Sequence, residues 1–445
     1  MSYPSNLDYT WATAAVEDIQ KEVGTDPVKV RKEEGQEDLL HFAEAVTDLN
    51  VATKVRIRNK IQTQQLSKEQ GFGFYLPHPN QKLHSARYEV KRLLGLGTAS
   101  SVFLCIDLQA SARTYVAVKI LTADATEGNV QGVLREADIM QAIAGLPDND
   151  PLSILLNKFQ INGPHGRHIC LVMYPMSTDL NTFRTTAPNM ALPVHTVKLV
   201  IAEMLEGLKI LHEADIIHTD VKCDNVLFDG PDNNIIEFEL AERPPVIEDE
   251  ISLNGKKYPI MRPQPLPHQH KWDDSPFLVE LYAVYLTDFS HAIWSNQKRQ
   301  VPFVGSESLR APEVILQAGY DIGDNHAHLK FFTRRGILGQ SKMMEVTGER
   351  FSPDVLARST RRDHFFDNQG KLKWIDNLVP VKLEDALKNY GTISAEEAVE
   401  AAKFITECLR MDPMERWTAE RLLRHPWMYR GPPPSCAGAK WAEAT

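Results

Sequence analysis

The sequence predicts an α+β fold, in which a strand-rich unit is followed by mostly helical chain. Two observations lead to this prediction. From Tyr88 onward, short runs rich in β-branched and aromatic residues alternate with turn signals, which is typical of strands. Residues 194–212 instead place Val197, Ile201 and Met204 on one stripe at helical spacing. The 445 residues are 43% apolar and 24% charged, enough to bury more than one core.

The predicted boundaries divide the chain into four parts. They are an N-terminal extension of unassigned role (1–85), the strand-rich lobe (86–175), the helical lobe (176–430) and a disordered tail (431–445). Eight of the 27 prolines lie between residues 231 and 280, a density that favours an extended, irregular insert over core. His268 and His270 lie in this insert. A metal pair is conceivable there, but two histidines in such a loop are far more often solvated.

Composition and charge limit the function. Lysine and arginine total 49 against 59 aspartate and glutamate, so the net charge of −10 suits a basic partner better than nucleic acid. The five cysteines are scattered without a CxxC pair, which argues against a disulfide framework and a zinc ribbon. The sequence has no secretory signal and no run of 18 apolar residues. We therefore expect no membrane association and a location in cytoplasm and nucleus.

The small lobe carries a glycine-rich turn and a lysine at a strand end. Gly95 and Gly97 follow one predicted strand and precede another, a setting that lets backbone approach nucleotide phosphates. A tight hairpin explains this turn alone at least as well. Lys119 ends the next apolar strand, where a lysine is costly to bury without a partner. Glu136, on the helix predicted at 134–146, is well placed to pair with it.

The strongest motif lies directly after the amphipathic helix. Residues 218–225 match the pattern H-x-D-x-K-x-x-N. Asp220 can orient a substrate hydroxyl and accept its proton, Lys222 can neutralise a transferring phosphoryl group, and Asn225 can hold a metal ion. Cys223 lies among them without a matching base, so we interpret it as a bystander.

Two later features complete the pattern. Asp288, in the sequence D-F-S, can hold a metal ion across the nucleotide phosphates. Glu313, in A-P-E, and Arg416, in D-P-M-E-R, are predicted to form a buried ion pair that clamps the segment from Asp288 to Glu313 to the helical lobe. Ser394 and Glu397 predict a capping box at the start of a helix near the end of the chain.

Together these motifs, in this order, resemble a eukaryotic-type protein kinase over residues 88–427. Three details are similar to the SR-protein kinases, particularly their fungal relatives: the threonine before Asp220, the run G-T-A-S-S-V-F-L-C-I-D-L, and the long segment between the catalytic loop and Asp288. Those kinases phosphorylate serines in arginine/serine-rich splicing factors. The resemblance implies the bilobal protein-kinase fold, ATP and Mg²⁺ as cofactors, a basic arginine/serine-rich protein substrate, and a monomer.

The resemblance also implies roles for further residues. Met173 would be the gatekeeper, and the backbone at 174–176 would be the adenine hinge. Ser306 takes the place of a threonine that hydrogen-bonds the catalytic aspartate and lysine, so its hydroxyl is predicted to be structural. The implied nucleotide site comprises Leu94, Gly95, Gly97, Val102, Ala117, Lys119, Glu136, Met173, Tyr174 and Met176.

The helical lobe departs from the family pattern. No Asp-x-Trp-x-x-Gly motif lies between Glu313 and Arg416, so the central helix of the lobe is predicted to be missing. Its loss would leave a void or expose apolar surface around Ile216, Ile217 and Val221. A kinase-like scaffold with impaired catalysis is therefore one alternative function. A small-molecule phosphotransferase is another, which the lysine of the catalytic loop and the A-P-E element disfavour.

Two further departures concern regulation and docking. Thr219 stands where many kinases have an arginine that receives an activation-loop phosphate, so we expect an enzyme that is active as synthesised. Lys330, Arg334 and Arg335 make the region of the family's acidic docking groove less acidic. The segment from 288 to 313 offers only serines as phosphate acceptors: Ser290, Ser295, Ser306 and Ser308.

Overall fold

A six-stranded antiparallel sheet forms the small lobe of the computed structural model, which describes residues 63–296, 311–318, 337–373, 375 and 377–429. Its strands are β1 (Lys82–Leu83), β2 (Tyr88–Leu96), β3 (Ser100–Asp107), β4 (Thr114–Leu121), β5 (Leu155–Gly163) and β6 (Gly166–Met173), in the spatial order β1-β2-β3-β4-β6-β5. The runs predicted as strands form β2, β3, β4 and β6, which confirms the strand-rich lobe.

Both faces of this sheet are covered. Successive residues of a strand point to opposite faces. On one face, Val118 of β4 belongs to a cluster with Phe103 and Cys170, and on the other Ala117 packs with Leu104. Since β4 is buried along nearly its whole length, the lysine in it lies in a strand without a solvent-facing side.

The small lobe begins earlier than the predicted boundary at residue 86. Gly71 has a φ of +83°, a left-handed conformation that turns the chain toward the sheet. Beyond this turn, Phe74 and Leu76 are buried against Leu96 of β2 and Ile260. The later part of the predicted extension therefore belongs to the core of the small lobe.

Helices dominate the rest of the described chain. The helices are α1 (Ala123–Val130), α2 (Glu136–Ile143), α3 (Leu180–Arg184), α4 (Val194–Glu213), α5 (Asn233–Glu242), α6 (Pro276–Val279), α7 (Pro312–Leu316), α8 (Ile337–Thr347), α9 (Pro353–Arg358), α10 (Arg362–Phe365), α11 (Leu383–Asn389), α12 (Ala395–Cys408) and α13 (Ala419–Leu423). The helices predicted at 134–146, at 194–212 and after Ser394 are present as α2, α4 and α12. Within the described ranges, none has both the length and the apolar character needed to cross a bilayer.

Short strand pairs position the loops of the helical lobe. They are β7 (Ile216–Ile217) with β12 (Ile293–Trp294), β8 (Val226–Phe228) with β11 (Val284–Leu286), and β9 (Ile247–Leu253) with β10 (Lys256–Met261). The first two pairs bracket the predicted catalytic loop and the D-F-S sequence. These two chain segments are therefore neighbours although they lie far apart in the sequence.

The start of α12 carries half of the predicted capping box. The Ser394 hydroxyl accepts from the backbone N–H of Glu397 at 3.1 Å, as predicted. The Glu397 carboxylate, however, accepts from the indole of Trp427 and pairs with Lys198 of α4 at 2.9 Å. Because these partners compete with the cap, Glu397 ties α12 to α4 and to the end of the helical lobe.

The proline-rich segment at 231–280 is folded, so the prediction of an extended, irregular insert was wrong. It contains α5, the β9–β10 hairpin and α6. Ile236 and Leu266 are buried against one face of the small-lobe sheet, and Met261 against the other. Most of the prolines flank these elements, and Pro259 lies within β10, opposite Glu250 of β9. Pro276, for example, begins α6, where its missing N–H has no helical partner to lose.

The two histidines of the insert are packed rather than solvated. His270 lies with its Nε2 3.0 Å from the carboxylate of Asp229 and its ring 3.8 Å from that of Tyr282. His268 contacts Phe183, and burial lowers its pKa. Across the described ranges, no three potential His, Cys, Asp or Glu ligands cluster as a metal site would require.

The predicted loss of the central helix falls largely on residues 319–336, which lie outside the described residues. The expected consequence was either a void or exposed apolar surface. Ile216 and Val221 are buried and Ile217 is half-buried, so the second of these is not found at these three residues. Other predictions also fall outside the described residues: those for Ser306, Ser308, Lys330, Arg334, Arg335 and the tail at 431–445.

Candidate active site

A cavity beneath the small-lobe sheet brings the predicted nucleotide residues together. It is lined by Leu94, Gly95, Gly97, Val102, Ala117, Lys119, Glu136, Met173, Tyr174 and Met176, and also by Asn225 and Asp288. Side chains from both lobes therefore face one space. Their contacts with ATP stay a prediction, but their convergence is the arrangement that a shared nucleotide site requires.

Lys119 is the centre of a buried charge cluster. Its Nζ pairs with Glu136 of α2, which confirms the predicted pairing, and lies 2.9 Å from a carboxylate oxygen of Asp288. Burial acts to lower the pKa of Lys119, but the carboxylates of Asp288 and Glu136 outweigh it and raise that pKa. Burial acts to raise the pKa of Asp288, but Lys119 holds it well below its usual range. Lys119 and Asp288 are thus both charged at neutral pH.

The predicted catalytic loop is held by contacts among its own residues. Thr219 has a φ of +62°, and the Asp220 carboxylate that follows it is only 2% exposed. Lys222 donates from Nζ to Asp220 at 2.7 Å, and the amide nitrogen of Asn225 donates to the Asp220 carbonyl at 2.8 Å. The loop therefore places a carboxylate, an ammonium group and an amide side by side.

Strand pairing brings this loop to Asp288. β11 runs antiparallel to β8, with Leu286 opposite Val226. The N–H of Thr287 then donates to the carbonyl of Asn225 at 2.9 Å, so Asp288 follows one residue from that contact. The two predicted metal-binding residues thus lie at one end of the same strand pair.

Asn225 and Asp288 have the chemistry of a hard-cation site. The amide nitrogen of Asn225 is used by Asp220, which leaves its oxygen as the atom able to ligate a metal. The low pKa of Asp288 keeps its carboxylate ionised and able to bind a cation. Magnesium and similar cations prefer oxygen ligands and use few protein groups alongside phosphate oxygens. These residues therefore fit a divalent cation held jointly with a nucleotide.

The residues after Asp288 pack onto the catalytic loop. Phe289 is fully buried with its ring 5.2 Å from the ring of His218, and Nε2 of His218 lies 2.9 Å from the Thr287 carbonyl. Thr219 donates its hydroxyl to the carbonyl of His291 at 2.8 Å. The threonine that replaces the common arginine thus makes a neutral contact with the segment that follows Asp288.

A second buried ion pair lies away from the cavity. Arg416 donates two hydrogen bonds to the Glu313 carboxylate, at 2.8 and 2.7 Å, which confirms the predicted pair. Its Nε also donates to the carbonyl of Arg410 at 2.7 Å. The bidentate geometry ties α7 to the loop before α13.

Sequence reasoning missed several residues that line the cavity. Among them are Met140, Ser153, Asp179, Leu227, Pro265 and Thr287. Thr287 directly precedes Asp288, and Leu227 lies two residues after Asn225, so proximity to a recognised motif was a usable signal. Pro265 lies in the insert, far along the chain from either motif, and no local pattern marks it as part of the cavity.

Comparisons with known proteins agree with this geometry. The family model for the protein kinase domain matches residues 88–246. A serine/threonine-protein kinase SRPK of Physarum polycephalum is 28% identical over 403 residues, an alignment that covers 81% of this chain and 90% of that protein. The dual specificity protein kinase CLK2 of Mus musculus is 26% identical over 368 residues, 77% of this chain and 64% of its own.

A shorter match and a solved structure add to this picture. The SRSF protein kinase 3 of Mus musculus is 31% identical over 169 residues, which cover 37% of this chain and 30% of that protein. A crystal structure of a kinase domain superposes with a TM-score of 0.55 at 20% identity, covering 80% of this chain and 99% of the other. The superposition shows the bilobal α+β kinase fold.

Proposed function

Because this chain is a serine/threonine protein kinase similar to the SR-protein kinases, we propose that it phosphorylates serines in basic, arginine/serine-rich proteins. Splicing factors are the implied substrate class. We further propose Mg²⁺ as the metal, a monomer as the active form, and cytoplasm and nucleus as the location. The observation that carries the proposal is the convergence of Lys119, Asp220, Asn225 and Asp288 on one cavity or its immediate edge.

The geometry supports a direct phosphoryl transfer. The substrate serine oxygen attacks the γ-phosphorus of ATP, the bond from phosphorus to the oxygen of ADP breaks, and Asp220 accepts the serine proton. Lys222, 2.7 Å from Asp220, supplies positive charge where negative charge accumulates on the transferring group. Lys119, fixed by Glu136, orients the nucleotide phosphates. A divalent cation bound by Asn225 and Asp288 would neutralise phosphate charge.

Acidic residues near the catalytic loop support a basic substrate. Asp224 lies between Lys222 and Asn225 with its side chain exposed, and it lines the same cavity as Asp179. An exposed carboxylate attracts an arginine that neighbours the target serine. The net charge of −10 also favours association with a basic protein.

The test is phosphoryl transfer from radiolabelled ATP to an arginine-serine repeat peptide. We expect transfer to this peptide and at least about tenfold less to a peptide with each arginine replaced by glutamine. Asp224→Asn is expected to raise the KM for the arginine-serine peptide several-fold with little change in kcat. Equal transfer to both peptides would overturn the substrate proposal. No transfer to either, with nucleotide still bound, would favour the scaffold alternative.

A further inference from the structure

Hydrogen bonds hold the start of the activation segment, residues 288–313, against the chain that precedes the catalytic loop. β12 pairs with β7, with Ile293 opposite Ile217. Ser295 extends this pairing by one residue: its N–H donates to the carbonyl of Asp215 at 2.7 Å. The Ser295 hydroxyl donates to the carboxylate of the same aspartate at 3.0 Å. Asp215 therefore accepts two hydrogen bonds from Ser295.

Asp215 is itself fixed by the backbone. It has a φ of +58° in the turn between α4 and β7, and its N–H donates to the carbonyl of His212 at the end of α4. Its carboxylate cannot follow Ser295 far without disturbing this turn. The pair is therefore a rigid attachment point on the helical-lobe side.

This attachment lies close to the catalytic groups. Between Asp288 and Ser295, Phe289 packs on His218 and His291 accepts from Thr219. Residues 288–295 are thus held by three contacts, at Phe289, His291 and Ser295. The partners of the first two contacts lie within two residues of Asp220 in the sequence. A change that separates Ser295 from Asp215 would therefore act on a segment that also contacts the catalytic loop.

We propose that Ser295 is an inhibitory phosphorylation site and that the modification acts by breaking the contact with Asp215. The inference rests on the proposed kinase function, whose regulation it describes. In the modifying step, the Ser295 oxygen attacks the γ-phosphorus of ATP on a protein kinase. The new oxygen–phosphorus bond replaces the bond to ADP, and the serine proton passes to the catalytic carboxylate of the modifying kinase.

The charge of the modified group decides the direction of the effect. A phosphoserine carries about −1.5 to −2 charge at pH 7 and has lost the proton that Ser295 donates. At the observed position it would meet the Asp215 carboxylate, and two anions at this separation repel. Ser295 is half-buried and its hydroxyl makes an exposed hydrogen bond, whereas Ser290 is hydrogen-bonded to Asp288 within the site.

A matched pair of variants separates charge from size. Ser295→Glu adds a negative charge, and Ser295→Gln adds a side chain of the same size without charge. We expect Ser295→Gln to keep phosphoryl transfer within about threefold of the wild type and Ser295→Glu to lose at least about tenfold. Equal activity of these two variants would overturn the proposal.

A second variant tests whether Asp215 is the group that repels. Asp215→Asn keeps an oxygen that can accept from Ser295, so alone it should change transfer by less than about threefold. In the Asp215→Asn/Ser295→Glu double variant, we expect transfer to return to within about threefold of Asp215→Asn. If the double variant is as inactive as Ser295→Glu alone, the repulsion mechanism is wrong.

Hydrogen exchange of the amides at 293–295 gives a readout that is independent of activity. We expect Ser295→Glu to exchange at least about tenfold faster there than Ser295→Gln, and the double variant to exchange as slowly as the wild type. These exchange rates would support the inference even if the wild type transferred no phosphate. Absence of transfer by the wild type would overturn only the proposed function. If Ser295→Glu aggregates, recovery of folded protein in the double variant supports the mechanism, and continued aggregation overturns it.

Discussion

The two lobes position their functional side chains by different means. In the small lobe, Lys119 and Glu136 lie on a regular strand and a regular helix, β4 and α2, and their pairing follows from how those elements pack. In the helical lobe, Asp220 and Asn225 lie on a loop whose shape depends on a left-handed Thr219 and on side-chain hydrogen bonds. The packing of regular elements therefore positions Lys119 in the small lobe, whereas the predicted catalytic loop relies on hydrogen bonds among its own residues.

This difference predicts which measured quantity each lobe controls. Substitutions in the helical-lobe loop are expected to change the rate of phosphoryl transfer, and substitutions on the sheet are expected to change nucleotide orientation or the stability of the small lobe. The predictions below test this division.

The largest effect is expected at the catalytic loop. Asp220→Asn should lower kcat by about 10³- to 10⁴-fold, because the amide cannot accept the proton of the substrate hydroxyl. Nucleotide affinity, measured by titration calorimetry, should change little. The exposed Asp385 of α11 provides the control, since Asp385→Asn should leave both quantities as they are. A kcat near that of the wild type would remove Asp220 from the catalytic role.

The buried pair outside the cavity should affect stability. Glu313→Gln removes the carboxylate that pairs with the Arg416 guanidinium, whose side chain is 3% exposed. We expect the free energy of unfolding to fall by about 3 kcal/mol. Glu420→Gln removes an exposed partner of Arg424 and should cost less than about 0.5 kcal/mol. Urea denaturation measures both. Similar losses for the two variants would show that burial does not distinguish these pairs.

The sheet lysine is expected to act mainly through the nucleotide. Lys119→Met removes the charge that orients the phosphates, so kcat should fall about 100-fold and nucleotide should bind more weakly. The same substitution at Lys158, exposed on β5 of the same sheet, serves as the control and should have no effect. Loss of kcat with unchanged nucleotide affinity would argue that Lys119 belongs functionally with the catalytic loop.

A buried histidine makes the small lobe sensitive to acid. His168 is fully buried, its Nδ1 lies 2.9 Å from the Leu121 carbonyl, and burial lowers its pKa to about 4. In the unfolded chain the pKa is about 6.5, so protons bind the unfolded state first as the pH falls below that value.

The stabilisation from neutral His168 is complete above about pH 6.5 and is lost between that pH and about 4. At pH 5 the loss should reach about 2 kcal/mol relative to pH 7. Urea titrations at the two pH values should show this difference for the wild type, and His168→Gln should reduce it. An unchanged difference in that variant would assign the acid sensitivity to other groups.

The smallest expected effect is that of phosphatase. Thr219 contacts the carbonyl of His291, and Ser295 contacts Asp215, so the described start of the activation segment is held without a phosphate. Protein made in a bacterial host should therefore transfer phosphate equally fast before and after phosphatase treatment. A large loss, restored by an upstream kinase, would show that the segment needs a modification after all.

Local patterns accounted for much of the fold and for most of the candidate site. The strands β2, β3 and β4 and the helix α4 have the periodicity of their own element, so a short window of sequence was enough to find them. The predicted site residues lie within contiguous motifs, and the described ones converge as the motifs implied. The position of each residue within its motif indicates which strand end or loop it occupies.

Contacts between distant segments that belong to no motif could not be predicted in this way. Leu266 of the insert is buried because the sheet offers Leu94 and Ala117 as neighbours. The proline content of the insert indicated irregular chain, because prolines at the ends of short elements look the same in sequence as prolines that prevent them. The contact of Ser295 with Asp215 joins residues 80 positions apart and has no signal in either segment.

The place of Pro265 has a consequence for the design of inhibitors. It lines the cavity of the proposed nucleotide site together with Tyr174, which is 59% exposed, although it belongs to the insert and not to any kinase motif. A compound that fills the adenine region and extends past Tyr174 would meet a surface supplied by the insert. Selectivity for this enzyme over kinases without such an insert can therefore be sought at that rim instead of at the motif residues.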